Sequence, residues 1–337
     1  MKDSFYIQWH ITNLCNLRCG HCYQEDFSNR DDLDESGLKK ISDNILYTLE
    51  EWRKKACIHF TGGEPLLKEE LFPLLSHLDQ KPFVEELGII TNGLLIDRGV
   101  VKRLSAFSKL RKIKISLDGA SAEINDSIRS RGSFGKVMKH LSLFKEEERF
   151  EVILMFTVMK RNYRGLLSFL KLCEDLEVDG LIIERFIPWG RGREFKEEVL
   201  DQDQWKEMVG TLCDFFSMER ENNDVLSYQA FQVSFDRGEQ DLSGAPCVIG
   251  VDGLCIMPEG SVYPCRRFPI TIGNLLKDSL KTIWEKSEIL EKVRRKENLK
   301  GKCGRCPIKH CRGCRSLTFC LTGDYLEEDP HCWYDLE

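Results

Sequence analysis

The sequence predicts an α/β protein: six strand–helix units in series, making a parallel sheet with helices outside it, then a small cysteine-rich region. Three observations predict it. Apolar runs of strand length alternate with helical stripes over the first two thirds of the chain. Each run ends in a polar or glycine-bearing turn, where parallel sheets place their ligands. Nine of the 15 cysteines fall from Cys247 onward, three more share one early loop, and only Cys57, Cys173 and Cys213 stand between.

Residues 5–11 form the first apolar run, which delivers the polar loop 12–23. Leu38, Ile41, Ile45, Leu49 and Trp52 then step by threes and fours along one helical face. Residues 56–60 read as the second strand, followed by Thr61-Gly62-Gly63-Glu64-Pro65 and a helix from about Lys68. The third strand, 83–91, ends at Asn92-Gly93 and precedes a helix near 97–107; the fourth, 112–117, runs into Asp118-Gly119 before a helix near 134–145. Strands at 151–159 and 180–186 flank a helix near 164–176. Residues 187–200 read as a surface connection, and Trp205, Met208, Leu212 and Phe215 as a packing stripe. The pattern weakens after about residue 222, which divides the chain into 1–220, a linking stretch 221–246 and 247–337.

Composition bounds the function. Hydrophobic residues make up 42% and charged residues 31% of the 337, as in an ordinary globular protein. The net charge of −6, from 49 basic and 55 acidic residues, gives no basic character for nucleic acid or an anionic membrane. No apolar run approaches membrane-spanning length, and residues 1–14 do not read as a signal peptide, so a cytoplasmic location is expected. There, 15 cysteines argue for metal binding over disulfides.

Cys15, Cys19 and Cys22 are spaced C-x3-C-x2-C on the first loop. Three thiolates so placed can hold three irons of a cubane and leave the fourth iron open to a non-protein ligand. Zinc is the alternative, although zinc sites usually pair two shorter motifs. With this loop the chain resembles the radical S-adenosylmethionine (radical SAM) enzymes. The resemblance implies a partial (β/α)6 barrel of the TIM type, a [4Fe–4S] cluster on these cysteines, and SAM chelated by the open iron and cleaved to a 5′-deoxyadenosyl radical. It assigns Gly62, Gly63, Glu64 and Pro65 to the methionyl amino group, the glycines by close backbone approach and the carboxylate as acceptor. It places Asn92, Ser116 and Asp118 near the SAM ribose and carboxylate, and Arg129 on the carboxylate. By themselves these turns are ordinary turn chemistry, and Arg129 reads equally as a solvated arginine. No catalytic side chain is assigned beyond the cluster.

In the tail, Cys247 and Cys255 precede Gly260-x4-Cys265, then Cys303-x2-Cys306-x4-Cys311-x2-Cys314, Cys320 and Cys332. This resembles the SPASM extension, a small cysteine-rich domain of radical SAM proteins. Two gaps are each one residue shorter than its commonest pattern, and Cys320 is surplus and stays unassigned. The resemblance implies two auxiliary [4Fe–4S] clusters, one on Cys247, Cys255, Cys265 and Cys314, the other on Cys303, Cys306, Cys311 and Cys332, acting in electron transfer. A zinc knuckle at Cys303, Cys306, Cys311 and Cys314 is the alternative. Cys57, Cys173 and Cys213 read as small buried hydrophobes.

The resemblance implies hydrogen abstraction and leaves the substrate open. Maturation of a ribosomally made peptide or protein is favoured, because no cluster of basic residues shows at the strand ends to receive the propionates of a tetrapyrrole. The haem-pathway branch, which oxidises or decarboxylates tetrapyrrole side chains, is the alternative, carried by the tail from Cys314 to Cys332. Since the barrel starts at residue 5, a peptide would need a separate carrier or direct recognition. A flavodoxin or ferredoxin is the expected reductant. A reading from another class is a non-catalytic iron–sulfur or zinc scaffold.

Overall fold

The computed structural model describes residues 3–145, 147–219, 223–236, 239–245 and 247–335. Six strands, β1 Ser4–His10, β2 Lys55–Thr61, β3 Val84–Thr91, β4 Leu110–Ser116, β5 Glu151–Val158 and β6 Gly180–Arg185, pair in parallel in chain order. The connecting helices are α1 Glu35–Glu51, α2 Leu71–Asp79, α3 Arg98–Leu104, α4 Ala122–Ile128, α5 Ser133–Lys145, α6 Leu166–Asp175 and, after β6, α7 Gln202–Phe215. Their starts are written locally. Asp34, Asp97 and Ser121 accept from backbone N–H groups of the first turns of α1, α3 and α4, and Asp201 with Gln204 forms a capping box on α7. This is the expected α/β partial barrel.

The two faces of the strands differ. Phe5, Ile7, Trp9, Ile58, Phe60, Ile113, Ile115, Leu154 and Phe156 are fully buried and join the helices in one core. Each such side chain contributes about 1.5–3 kcal/mol by leaving water. The alternate residues face inward, and many of them are polar. Tyr6 Oη lies 3.1 Å from His59 Nδ1, His59 Nε2 lies 2.9 Å from Glu86 Oε1, and Lys112 bridges Glu86 and Glu151. Gly88 makes room for this layer, since a Cβ there would stand 2.6 Å from the His59 ring. The barrel therefore has a charged floor where a closed TIM barrel has apolar layers.

The sheet continues past both ends of the barrel to eleven strands. The hairpin β7 Ala230–Asp236 and β8 Glu239–Ala245 pairs antiparallel with β6. Thus 221–246, expected as a link, carries structure of its own; residues 221, 222, 237, 238 and 246 lie outside the described residues. At the other end β9 Gly253–Ile256 pairs in parallel with β1, followed by β10 Ser261–Tyr263 and β11 Gly273–Asn274. Both additions cover strand edges that an open six-stranded sheet would leave unpaired. The C-terminal region is consequently continuous with the barrel. Among the described residues no helix is long and apolar enough to cross a membrane.

Candidate active site

The loop leaving β1 is clamped from three sides. Gly63 N donates to Thr12 O at 2.7 Å and Glu64 N to Leu14 O at 2.8 Å. The approach requires glycine: a Cβ on Gly62 (φ +153°) would stand 2.4 Å from Thr12 O, and one on Gly63 2.3 Å from Leu14 O. On the second side Gly20 N donates to Ile128 O, at the end of α4, at 2.9 Å. The third side is the segment after β6. Gly192 N donates to Cys22 O at 2.9 Å, Arg191 N donates to Gln24 O at 3.1 Å, and the Phe195 ring packs on Gly20. Residues 187–200 are therefore no surface connection; buried Gly190 and Gly192 let the segment lie directly on the cysteine loop, and Gly-Arg-Gly is the signal that was there to read.

Within the loop, Leu17 N donates to Cys15 Sγ at 3.4 Å and Gln24 N to Cys22 Sγ at 3.5 Å, contacts that orient sulfur ligands. The three sulfurs lie within charge range of one another. Burial pushes the Cys15 thiol up to about 11 and the Cys22 thiol up to about 12, so binding of a cation is what strips their protons. A cubane held at three corners fits this donor set.

These thiols open onto a cavity of about 870 Å³, counting its solvent-open mouth, at the C-terminal ends of the strands. Gly62, Gly63, Asn92, Ser116 and Arg129 line it as expected. Asn92 Nδ2 donates to Asn16 Oδ1 at 2.7 Å and lies 3.9 Å from Cys15 Sγ. Glu64 does not face the cavity. It accepts from Thr91 Oγ1 and Asn92 N, both at 2.8 Å, and from Leu66 N at 3.2 Å, with burial pushing its carboxyl up to about 7. Its carboxylate thus fixes the third strand's end, and Pro65 opens the short turn behind it. Asp118 is also behind the wall, accepting from Thr157 N at 2.8 Å and pairing with Arg129 Nε at 2.7 Å. Burial lowers His21 to about 4, so the ring is neutral beside Asp118; its Nδ1, on the cavity wall, is buried without a partner.

The expectation that no basic cluster meets the strand ends is corrected. Arg129, Arg185, Arg266 and Arg267 all line the cavity. They come from three different places in the fold, the end of α4, the end of β6 and the pair directly after Cys265, so only folding gathers them. Arg266 and Arg267 share the half-buried Glu184, at 3.7 and 3.2 Å, and Arg266 also donates to Thr61 Oγ1 at 3.2 Å. Arg185 pairs with Asp329. Two guanidiniums on one carboxylate leave a positive wall.

In the C-terminal region Cys247 lies within charge range of Cys265 and Cys314, and Cys255 of Cys265. Cys311 lies near Cys303 and Cys306, and Cys332 near Cys303. Cys314 thus neighbours the first set, where a zinc knuckle would place it with the second. Cys320 lies near Cys265 and Cys314. Cys173 and Cys213 are buried, as expected; Cys57 is partly exposed beside Glu85.

The Radical SAM superfamily profile matches residues 9–173, and that of the SPASM iron–sulfur cluster-binding domain matches 247–307. The chain is 29% identical to the AdoMet-dependent heme synthase of Methanosarcina barkeri, over 97% of this chain and 96% of that protein. It is also 29% identical to mycofactocin maturase MftC of Mycobacterium tuberculosis, over 97% of this chain and 82% of that protein. Among solved structures, anSMEcpe with bound AdoMet shares the fold at a TM-score of 0.74, with 21% identity and coverage of 98% and 90% of the two chains.

Proposed function

Because the chain belongs to the radical SAM superfamily and carries a SPASM iron–sulfur domain, we propose that it oxidises a carboxylate-bearing side chain of a tetrapyrrole. It is an enzyme, which sets the scaffold reading aside. Its cofactors, SAM with a [4Fe–4S] cluster and auxiliary iron–sulfur clusters, supply a 5′-deoxyadenosyl radical for hydrogen abstraction and one-electron redox capacity.

The observation that carries the substrate reading is the arginine wall. Guanidinium forks bind carboxylates bidentately, and Arg266 and Arg267 have donor capacity beyond their shared Glu184. Cys15, Cys19 and Cys22 hold the front cluster, and Gly62, Gly63, Asn92, Ser116 and Arg129 form the wall that receives SAM. Asp118 fixes Arg129 from behind. Leu17, Phe27, Phe186 and Ile187 supply the apolar part of the lining that excludes water. The near end-to-end match to a heme synthase supports the same reading.

Peptide or protein maturation is the second reading, supported by equal identity to a maturase. It would add a separate carrier for the peptide. In either case the reductant is a flavodoxin or ferredoxin, and the setting cytoplasmic.

The test is an anaerobic turnover of the iron-replete protein with SAM, a strong reductant and an iron tetrapyrrole bearing propionates. The product should be lighter by carbon dioxide and two hydrogen atoms per side chain converted, with 5′-deoxyadenosine formed in step. Arg266→Gln and Arg267→Gln should raise KM for the tetrapyrrole far more than for SAM. Formation of 5′-deoxyadenosine with the tetrapyrrole unchanged would overturn the reading in favour of a peptide.

A further inference from the structure

The buried ion pair Arg185–Asp329 belongs to no expected set, yet it touches cysteines of both auxiliary sets. Its two side chains are 4% and 3% exposed, and Arg185 Nη1 donates to both oxygens of Asp329, at 3.0 and 2.8 Å. From Asp329 the contacts run to cysteines of both auxiliary sets. Its carboxylate accepts from Cys314 N at 2.7 Å, its N–H donates to Cys303 Sγ at 3.4 Å, and its carbonyl accepts from Cys332 N at 3.0 Å. From Arg185 they run along the end of β6: the guanidinium also donates to Tyr228 O at 3.4 Å, and the backbone carbonyl Arg185 O accepts from Arg267 Nη1, on the cavity side, at 2.8 Å. The geometry is built in. Gly313 (φ +64°) must lack a side chain, because a Cβ would stand 2.7 Å from Asp329 Cβ and 2.6 Å from Arg315 Nη2. Trp205 packs against the Arg185 guanidinium, 4.4 Å from its ring centre, and keeps the pair out of water.

We propose that Arg185 and Asp329 are positioning residues whose opposite charges set the reduction potentials of both auxiliary clusters. The proposal rests on the assignment of the C-terminal cysteines to two clusters. A carboxylate hydrogen-bonded to the backbone of cluster-holding cysteines would disfavour a cluster's reduced, more negative form, and a guanidinium beside that carboxylate would offset it; in a buried site both effects are strong.

The experiment is an EPR-monitored redox titration of the iron-replete full chain, with iron counted in each sample. Asp329→Asn removes a negative charge while keeping an acceptor for Cys314 N, and should raise the auxiliary potentials. Arg185→Gln leaves every contact of Asp329 to the cysteines in place, and should lower them. Each shift should reach about tenfold in the reduced-to-oxidised ratio, about 59 mV for one electron. Arg185→Lys should restore most of the loss, and the SAM-site cluster should stay within a small fraction of these shifts. Shifts of the same sign, or none with iron at about twelve per chain, overturn the proposal. If Asp329→Asn fails to hold iron, Arg185→Gln decides alone. Iron at about four per chain in the unaltered protein would overturn the two-cluster assignment instead, a distinguishable outcome.

Discussion

The two cysteine regions of this protein are built on opposite plans. In front, Cys15, Cys19 and Cys22 lie on one short loop, and neighbouring backbone clamps that loop from Gly62–Gly63, Ile128 and Gly192. Behind, the cysteines of each set come from distant stretches, and a buried ion pair with one glycine holds them together. A front ligand set is contiguous and depends on close backbone approach. A rear set is interleaved and depends on charge. The plans predict different vulnerabilities.

The largest effect should come from Cys15→Ala. SAM cleavage should fall to background, while iron drops only from about twelve to about eight per chain and rear-cluster absorbance persists. Loss of all iron would mean that the two regions are not independent.

Next come two matched glycines. Gly190 (φ +59°) would bring a Cβ to 2.3 Å from Tyr23 O, and Gly313 is as tightly placed on the rear side. Each Gly→Ala change should cost about 1–3 kcal/mol in strained backbone. Gly190→Ala should weaken the front cluster alone and Gly313→Ala the rear clusters alone, read by iron content and EPR.

A smaller effect should mark Glu64, whose burial raises its carboxyl from 4.5 to about 7. The folded state then binds the proton more tightly than the unfolded chain does. Glu64 therefore makes stability fall as pH rises from about 4.5 to 7, and contributes no slope outside that window. The difference between the Tm profiles of the unaltered protein and Glu64→Gln should show this slope; a flat difference would contradict the burial argument. The smallest effect should be that of Cys57→Ser, a partly exposed thiol outside every set, with iron unchanged and stability within about 0.5 kcal/mol.

Legibility in the sequence follows the same division. The C-x3-C-x2-C loop, the Gly62–Pro65 turn and the alternating strands could be read directly, because each is a local pattern with a local cause. The inward strand faces could not: Tyr6, His59, Glu86 and Lys112 lie far apart in the sequence, and only register shows that they meet. The arginine wall was misread for the same reason, since Arg129 caps the end of α4, Arg185 ends β6 and Arg266–Arg267 follow β10. The three protein donors on Glu64 were not legible either, because the motif says which residue is present and not which way the carboxylate turns. The two outer additions to the sheet escaped notice because β9 to β11 are only two to four residues long, and β7–β8 carries the polar run Asp236 to Ser243.

The central claim is that the front cluster has one iron that the protein leaves free for SAM. Mössbauer spectroscopy of the iron-57 protein tests it most directly. Adding SAM should change the signal of one iron in about twelve and leave the others as they were. An unchanged spectrum in protein that holds its full iron would contradict the claim.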